Sequence, residues 1–484
     1  MKSVLYFKRH WKLYTIILAV CLIVGLLLLA VMAPFLGYKK VSETTKNNFS
    51  MSRFYHEDEG GDRAMLMETN MSAWEERIRL MNQAKERIIL STFDMREGES
   101  TKDIAAMLLK KADEGVKVSI LVDGVSGFLR MNGREFFYAL SSHPNIEIKI
   151  YNMLNILQPW KTQGRMHDKY VIVDEKAFIL GGRNTFDYFI GNYPTDGMSY
   201  DREVLIYNTA EQRTAENESA LYQVEEYFKS VWEKEECTYF HDDEKLRDDD
   251  DVKAQIDMLY ERYEKIKNER PDLFEDFDYY KNTVATNHVE LIHNPTHIYG
   301  KEPVVFYELT ELMKNAKEKV IIHTPYAVCN DYMYGRLKEA SATVDVEMLI
   351  NSVENGDNFV ASSDYLRHKD ELVDTGVQIY EYDGGTSYHG KSVVIDDELS
   401  IIGSYNMDLR STYVDTELML AVQSKALTAQ LLEKMDGYKA DSRKVIDENT
   451  YETPDHVQVA DVPWMKRAAW AVVGFLLQPF RILV

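Results

Sequence analysis

With three cysteines in 484 residues, the chain has too little thiol for a disulfide framework. Cys21 sits in an apolar run, so Cys237 and Cys329 form the one conceivable bridge, and two unrelated free thiols is the expectation. No group of His and Cys has zinc-like spacing. Positive charge is short as well: 56 Lys and Arg stand against 79 Asp and Glu, a net charge of −23. That sign argues against binding nucleic acid and against electrostatic adhesion to an anionic bilayer. Any hold on a membrane must therefore be apolar. Long hydrophobic runs are scarce too, and a single one is long enough to span. Residues 13–36, LYTIILAVCLIVGLLLLAVMAPFL, carry no charge and reach the ~20 residues a bilayer-crossing helix needs. Lys2, Lys8, Arg9 and Lys12 precede it and Lys39 and Lys40 follow, a bias that puts the N-terminus in the cytoplasm and the bulk of the chain outside. A cleaved signal peptide is the competing reading, but its apolar core is shorter, ~7–15 residues. An uncleaved single-pass anchor is expected. The C-terminal stretch PWMKRAAWAVVGFLLQPFRILV (463–484) has two Trp and three basic residues but an apolar run too short to span. It reads either as an interfacial helix lying on the bilayer or as a core helix packed on a lobe.

What the chain does have is enough apolar and aromatic residues for substantial cores, 45% hydrophobic with 31 Tyr and 19 Phe, and a length that calls for two domains or one two-lobed unit. It is also built twice. MNQAKERIILSTF (81–93) is echoed by MKNAKEKVIIHTP (313–325), each the end of an amphipathic helix, a basic turn and a short apolar strand. A second helix and strand follow each copy, KDIAAMLLKKADEGVKVSILVDG and GRLKEASATVDVEMLINS. Alternating strands and helices imply parallel α/β architecture, and a period of more than 200 residues implies two similar lobes rather than a solenoid.

The chemistry lies in a second pair of echoes. RMHDKYVIVD (165–174) and YHGKSVVIDD (388–397) each hold H-x-K-x4-D, namely His167, Lys169, Asp174 and His389, Lys391, Asp396. GGRN and GSYN follow, with Asn184 and Asn406 each 17 residues beyond its His. One HxK means little; two at equal spacing in related halves form a constellation. On a strand, residues two apart share a face, so each His and Lys is expected to project together. If the lobes pack about a pseudo-two-fold axis, two His, two Lys and two amides converge. Cations and amide donors suit the non-bridging oxygens of a phosphodiester. A neutral imidazole can attack phosphorus and form a phosphohistidine, while the other His, protonated, serves the leaving alkoxide. Lys is no ordinary divalent-metal ligand, so the site is expected to need neither metal nor cofactor.

The paired motifs resemble those of the phospholipase D superfamily. Within it, HPNIEIKIYN (143–152), GRMHDKYVIVDEKAFILGGRN with Asp187, Tyr188 and Phe189, and GSYNMDLRSTYVDTE (403–417) are most similar to bacterial cardiolipin synthases of the class C branch. The resemblance covers about residues 65–440. It implies a two-lobed α/β fold, each lobe a mixed, mostly parallel sheet flanked by helices, with the N-terminal transmembrane helix added. It implies His167 as nucleophile, His389 as general acid/base, Lys169 and Lys391 beside them, and structural roles for Asp174 and Asp396. It further implies a carboxylate orienting each opposing His: Glu417 from the second half, and Asp201 or Glu203 from SYDREV in the first. Gly390 departs from the family, where Ala is frequent. The expected organisation is a cytoplasmic segment (1–12), anchor (13–36), linker (37–64), first lobe (65–232), acidic and helical insertion (233–286), second lobe (287–445) and tail (446–484), with the 233–251 stretch a solvated linker. The implied activity is phosphatidyl transfer between membrane phospholipids, phosphatidylglycerol first and phosphatidylethanolamine second, giving cardiolipin, in a monomer whose lobes face outward from the cell membrane. Hydrolysis to phosphatidic acid by the same residues is the alternative, and a nuclease a more distant one, disfavoured by the acidic balance.

Overall fold

The computed structural model describes residues 2–155, 157–210 and 219–484, with side chains from His10 onward; the side chains of Lys2, Lys8 and Arg9 lie outside the described residues. The first lobe's strands are β1 (Asp62–Met67), β2 (Arg87–Thr92), β3 (Lys117–Asp123), β4 (Ile146–Tyr151), β5 (Tyr170–Val173), β6 (Ala177–Gly181), β7 (Ser199–Tyr200), β8 (Glu203–Asn208), β9 (Cys237–Tyr239) and β10 (Val284–Ala285). The second lobe's are β11 (His288–His293), β12 (Lys319–His323), β13 (Asp345–Asn351), β14 (Gln378–Tyr382), β15 (Ser387–Tyr388), β16 (Ser392–Ile395), β17 (Leu399–Gly403), β18 (Leu418–Gln423), β19 (Ser442–Val445) and β20 (Tyr451–Glu452). Eighteen of them build two nine-stranded sheets, ordered β10-β1-β8-β6-β5-β2-β3-β4-β9 and β11-β18-β17-β16-β12-β13-β14-β19-β20, and β7 and β15 pair with each other apart from both. From β1 to β9 and from β11 to β19 the two orders match strand for strand, so the sequence repeat is a repeat of topology.

The sheets are mixed but not mostly parallel, which corrects the expectation. Parallel pairing is confined to β2-β3-β4 and β12-β13-β14; the neighbours on either side pair antiparallel. The reason is connection length. Helices such as Glu99–Asp113 and Asp331–Ser341 carry the chain back to start a parallel strand, whereas three-residue turns join β5 to β6 and β16 to β17 and can only make hairpins.

The central strands read as unbroken apolar runs because both faces are covered. In β5, Val171 and Val173 enter the first lobe's helix-covered core, while Tyr170 and Ile172 face the other way. The residues facing that way join Ile321, Val394, Ile402 and Leu420 of the second sheet in one shared core. The lobes are thus packed sheet against sheet.

Two connecting segments are more integrated than expected. Strand β9 extends the first sheet by pairing with β4, and the helix Asp250–Glu269 buries Val252, Ile256, Leu259, Tyr263 and Ile266 in the first lobe's core. The 241–249 stretch ahead of it carries no buried residue. The stretch between anchor and first lobe docks on the second lobe: Phe54 is buried there, Arg53 bridges Glu290 and Glu308, and Ser42 and Thr45 hydrogen-bond Glu302. The N-terminal helix Lys2–Met32, with the turn Ala33–Phe35 that follows it, provides a stretch, His10–Phe35, long and apolar enough to cross a membrane, its most apolar 18 residues having mean hydropathy 3.2 and almost no burial. Its end is fixed, because Met32 and Phe35 enter the second lobe's core. The C-terminal helix Trp464–Leu476 packs on the second lobe along one side only. Trp470 and Gly474 pack against the second lobe, while Trp464, Met465, Val472, Phe475 and Leu476 stay exposed. Cys237 and Cys329 are buried free thiols.

Candidate active site

Neither HxK pair lies on a strand, contrary to expectation: β5 begins at Tyr170 and β16 at Ser392. Each His sits on the extended segment just before, because that segment leaves its own sheet to pair with the opposite lobe. Ser387 and Tyr388 of β15 pair in parallel with Ser199 and Tyr200 of β7, and the His389 N–H continues the ladder to the Tyr200 carbonyl at 2.6 Å. Across the seam Met166 bridges Thr416; the Thr416 N–H reaches the Arg165 carbonyl at 2.9 Å, and the His167 N–H reaches Thr416 Oγ1 at 3.2 Å. Each HxK segment therefore runs beside the residue that precedes the other lobe's carboxylate.

The result is two reciprocal pairs. His167 Nδ1 lies 2.8 Å from Glu417 Oε1, and His389 Nδ1 lies 2.7 Å from Asp201 Oδ2. Both carboxylates are fully buried, and the imidazoles are 12% and 14% exposed. With Nδ1 engaged, Nε2 is the nitrogen left for chemistry. Lys169 Nζ donates to the His167 carbonyl at 2.5 Å; Lys391 Nζ donates to the His389 carbonyl and lies 2.5 Å from the ring Nδ1 and 3.1 Å from Nε2. Phe93 and Phe189 flank the rings at 5.2 and 5.1 Å between centroids.

The open choice between Asp201 and Glu203 is decided by register. Gly181 of β6 faces Glu203, and Gly403 of β17 faces Met419. Asp201 and Glu417 each stand two residues before those positions and are structural equivalents. Glu203 does not reach a histidine: Arg77 clamps it at 2.6 and 2.8 Å, and Arg183 lies 3.6 Å away. The variable position of G-[GS]-x-N also serves these carboxylates. A Cβ on Gly182 would stand 2.3 Å from Asp201 Oδ1, whereas Ser404 Oγ donates to Glu417 Oε2 at 2.5 Å. Asn184 and Asn406 are buried; Asn184 Oδ1 accepts the Asp94 N–H at 3.2 Å, and Asn406 Oδ1 has no partner.

Electrostatics separate the halves. Burial, with Lys169 and Lys391 nearby, holds His167 well below the ordinary imidazole range, while burial pushes Glu417 well up. Burial and Lys391 also lower His389, but Asp201 opposes them. Burial alone would raise Asp201; Lys391 and His389 outweigh it and pull its carboxyl down to about 2. Burial brings Lys169 down to about 7 and lowers Lys391. Both imidazoles are thus lowered, His167 the further, and the Asp201 carboxylate beside His389 works against the loss of its proton. Neutral nucleophile and proton carrier are what a two-step displacement at phosphorus requires.

Asp174 and Asp396 lie outside this constellation. Both take positive φ, 50° and 56°, in the tight turns after β5 and β16. Asp174 accepts the N–H groups of Lys85, Glu86 and Arg87, and Asp396 those of Lys317, Glu318 and Lys319. Each ties its hairpin to the loop feeding β2 or β12. Asp174→Ala is expected to cost ~1–3 kcal/mol, because it orphans three donors and places a less suitable residue at positive φ. Urea unfolding measures the loss.

Residues 78–232 and 309–438 match the family described as cardiolipin synthase, PLD-like domain. The chain belongs to that family. Each matched span carries one HxK half. Cardiolipin synthase C of Escherichia coli K12 is 24% identical over 413 residues, covering 76% of this chain and 82% of the relative. An uncharacterized protein of Helicobacter pylori is 27% identical over 397 residues, covering 73% and 74%. Among solved structures, the phosphatidylserine synthase of Haemophilus influenzae shares the fold, with TM-score 0.59 and 14% identity over 87% of this chain and 95% of that one.

Gly390 leaves no room for a side chain. A Cβ there would lie 2.3 Å from the Tyr388 hydroxyl. That hydroxyl is pinned by the buried Arg202, which donates to it at 3.0 Å and to Ser392 Oγ at 2.7 Å while gripping Glu68 at 2.7 and 2.8 Å. Arg202 is a cross-lobe fastener that sequence reasoning passed over, although it stands directly after Asp201. Asp123, which accepts the Met166 N–H at 2.9 Å and pairs with Arg165 at 3.5 Å, was missed as well; it ends an unremarkable β3, and its partners are about 40 residues away.

Proposed function

We propose that this protein is a membrane-anchored cardiolipin synthase working through a phosphohistidine at His167. The observation that carries the reading is the pair of cross-lobe imidazole–carboxylate contacts, which supply one neutral imidazole and one proton carrier in a single site. His167 Nε2 attacks the phosphorus of a phosphatidyl donor. The bond from phosphorus to the head-group oxygen breaks, and His389, protonated, gives its proton to that departing alkoxide. Lys169 and Lys391 balance charge on the non-bridging oxygens. In the second half His389 takes the proton of an incoming lipid hydroxyl, whose oxygen attacks phosphorus and frees His167. With phosphatidylglycerol as donor and acceptor, the products are cardiolipin and glycerol. Glu417 and Asp201 are positioning residues that orient the two rings.

The exposed apolar helix ending in the second lobe supports a single-pass anchor with the lobes outside the cytoplasm. The family's lipid chemistry and the E. coli relative support the substrate. Full-length protein in mixed micelles of phosphatidylglycerol and phosphatidylethanolamine is expected to produce cardiolipin, read by lipid mass spectrometry. Phosphatidic acid as the sole product would replace the transferase with a hydrolase, and unchanged lipids would sink both.

A further inference from the structure

A second site is visible beside the end of the N-terminal helix. A cavity of about 620 Å³ opens between the segment that follows that helix and the second lobe. Its charge is unusual for so acidic a chain. Lys39, Lys40, Lys46, Arg336 and Arg481 line it, with Asp331 the acidic residue among its walls. Three of these cations are already held: Arg481 by Asp364 at 2.7 Å, Arg336 by Glu311 at 2.6 Å and Glu339 at 3.1 Å, and Lys46 by Glu43 at 2.7 Å. Neither Lys39 nor Lys40 forms an ion pair among the described residues. Two unpaired ammonium groups thus face a pocket whose remaining cations are fixed in place.

Its walls are amphipathic. The Tyr38 ring packs on Tyr413 at 4.9 Å between centroids, and the exposed edge of Tyr332 completes an aromatic rim. Tyrosine and lysine together suit a boundary layer, with rings against glycerol and acyl carbons and ammonium groups against phosphate. Position agrees. Met32 and Phe35 already belong to the second lobe, so Tyr38, Lys39 and Lys40, three to five residues beyond Phe35, sit on the part of that lobe next to the end of the apolar stretch. The segment that contributes Arg481 also follows the C-terminal helix whose Phe475 and Leu476 are exposed.

We propose that this cavity binds the phosphate of an anionic phospholipid in the surrounding bilayer, at a site separate from His167 and His389. The proposal rests on reading the N-terminal helix as a membrane anchor. The pocket takes a lipid rather than a soluble phosphate because its aromatic rim adds contacts that only the glycerol and acyl portions can fill. The site offsets the repulsion between an acidic catalytic body and an anionic membrane, and it sets the orientation in which the lobes meet the surface.

The test is native mass spectrometry of the full-length protein in nonionic detergent, titrated separately with phosphatidylglycerol, phosphatidylcholine and glycerol phosphate. Wild type is expected to bind phosphatidylglycerol in preference to phosphatidylcholine. In Lys39→Gln/Lys40→Gln the affinity for one phosphatidylglycerol is expected to fall about 30-fold, on the order of tenfold or less per lysine. His389→Ala is expected to leave that affinity in place. Unchanged affinity in the double variant would overturn the site, as would an equal loss for phosphatidylcholine. Glycerol phosphate binding as tightly as the lipid would overturn the membrane source. Lipid binding and turnover are read separately, so a wild type that makes no cardiolipin yet loses lipid in the double variant would retire the proposed function and leave the pocket standing.

Discussion

His389→Ala is expected to give a protein that loads but does not turn over. In the proposed mechanism the first step needs His389 only to protonate a poor leaving group, a glycerol alkoxide. A donor that leaves as p-nitrophenolate needs no such proton. On a p-nitrophenyl phosphodiester of a lipid, His389→Ala should release a burst of about one equivalent of p-nitrophenol and then stall, because nothing deprotonates the acceptor. The acid-labile phosphoryl group should be found on the peptide containing His167. On natural phosphatidylglycerol both steps suffer, and turnover should fall by about 10⁴-fold, the upper range for losing a general acid and base. His167→Ala should show neither burst nor label with either donor. A burst in His167→Ala and none in His389→Ala would exchange the two roles. Full activity in either variant would end the paired-histidine mechanism.

The second large effect separates two carboxylates that stand two residues apart. Asp201→Asn keeps the shape of a side chain that meets His389 at 2.7 Å but removes its charge. Turnover should fall by about 10²–10⁴-fold, since a neutral amide neither stabilises an imidazolium nor fixes its tautomer, while the melting temperature moves little. Glu203→Ala should do the opposite in kind. It leaves the Arg77 and Arg183 guanidinium groups buried without their anion, a loss of ~3–5 kcal/mol. In a fold of this size that lowers the melting temperature by roughly 3–5 °C. Thermal unfolding beside steady-state turnover distinguishes the two. An Asp201→Asn protein with full activity, or a Glu203→Ala protein with unchanged melting, would show that the register argument misassigned them.

Much of this was legible in the amino-acid sequence, and the exceptions have physical causes. The duplication and the HxK pairs could be read because motif spacing survives in one dimension, and Glu417 was reached through the family resemblance. The placement of His167 and His389 off the strands could not, because their backbone partners belong to the other lobe, about 190 to 250 residues away. Asp201 and Glu203 were indistinguishable for the same reason: alternation along β8 is known only once β6 is laid against it. The expectation of mostly parallel sheets held for β2-β3-β4 and β12-β13-β14 and failed for their neighbours, because it weighed helical crossovers and overlooked the three-residue turns that the two motif aspartates cap. In the acidic insertion the helix Asp250–Glu269 buries five apolar residues that charge composition alone does not reveal.

The reciprocal contacts also bear on timing. His167 takes its carboxylate from Glu417, and His389 takes its own from Asp201, so neither half of the chain carries a finished catalytic pair. On the proposed mechanism, a chain that ends before Glu417 therefore has its nucleophile without the carboxylate that orients it, and the site is complete only once both halves have closed on each other.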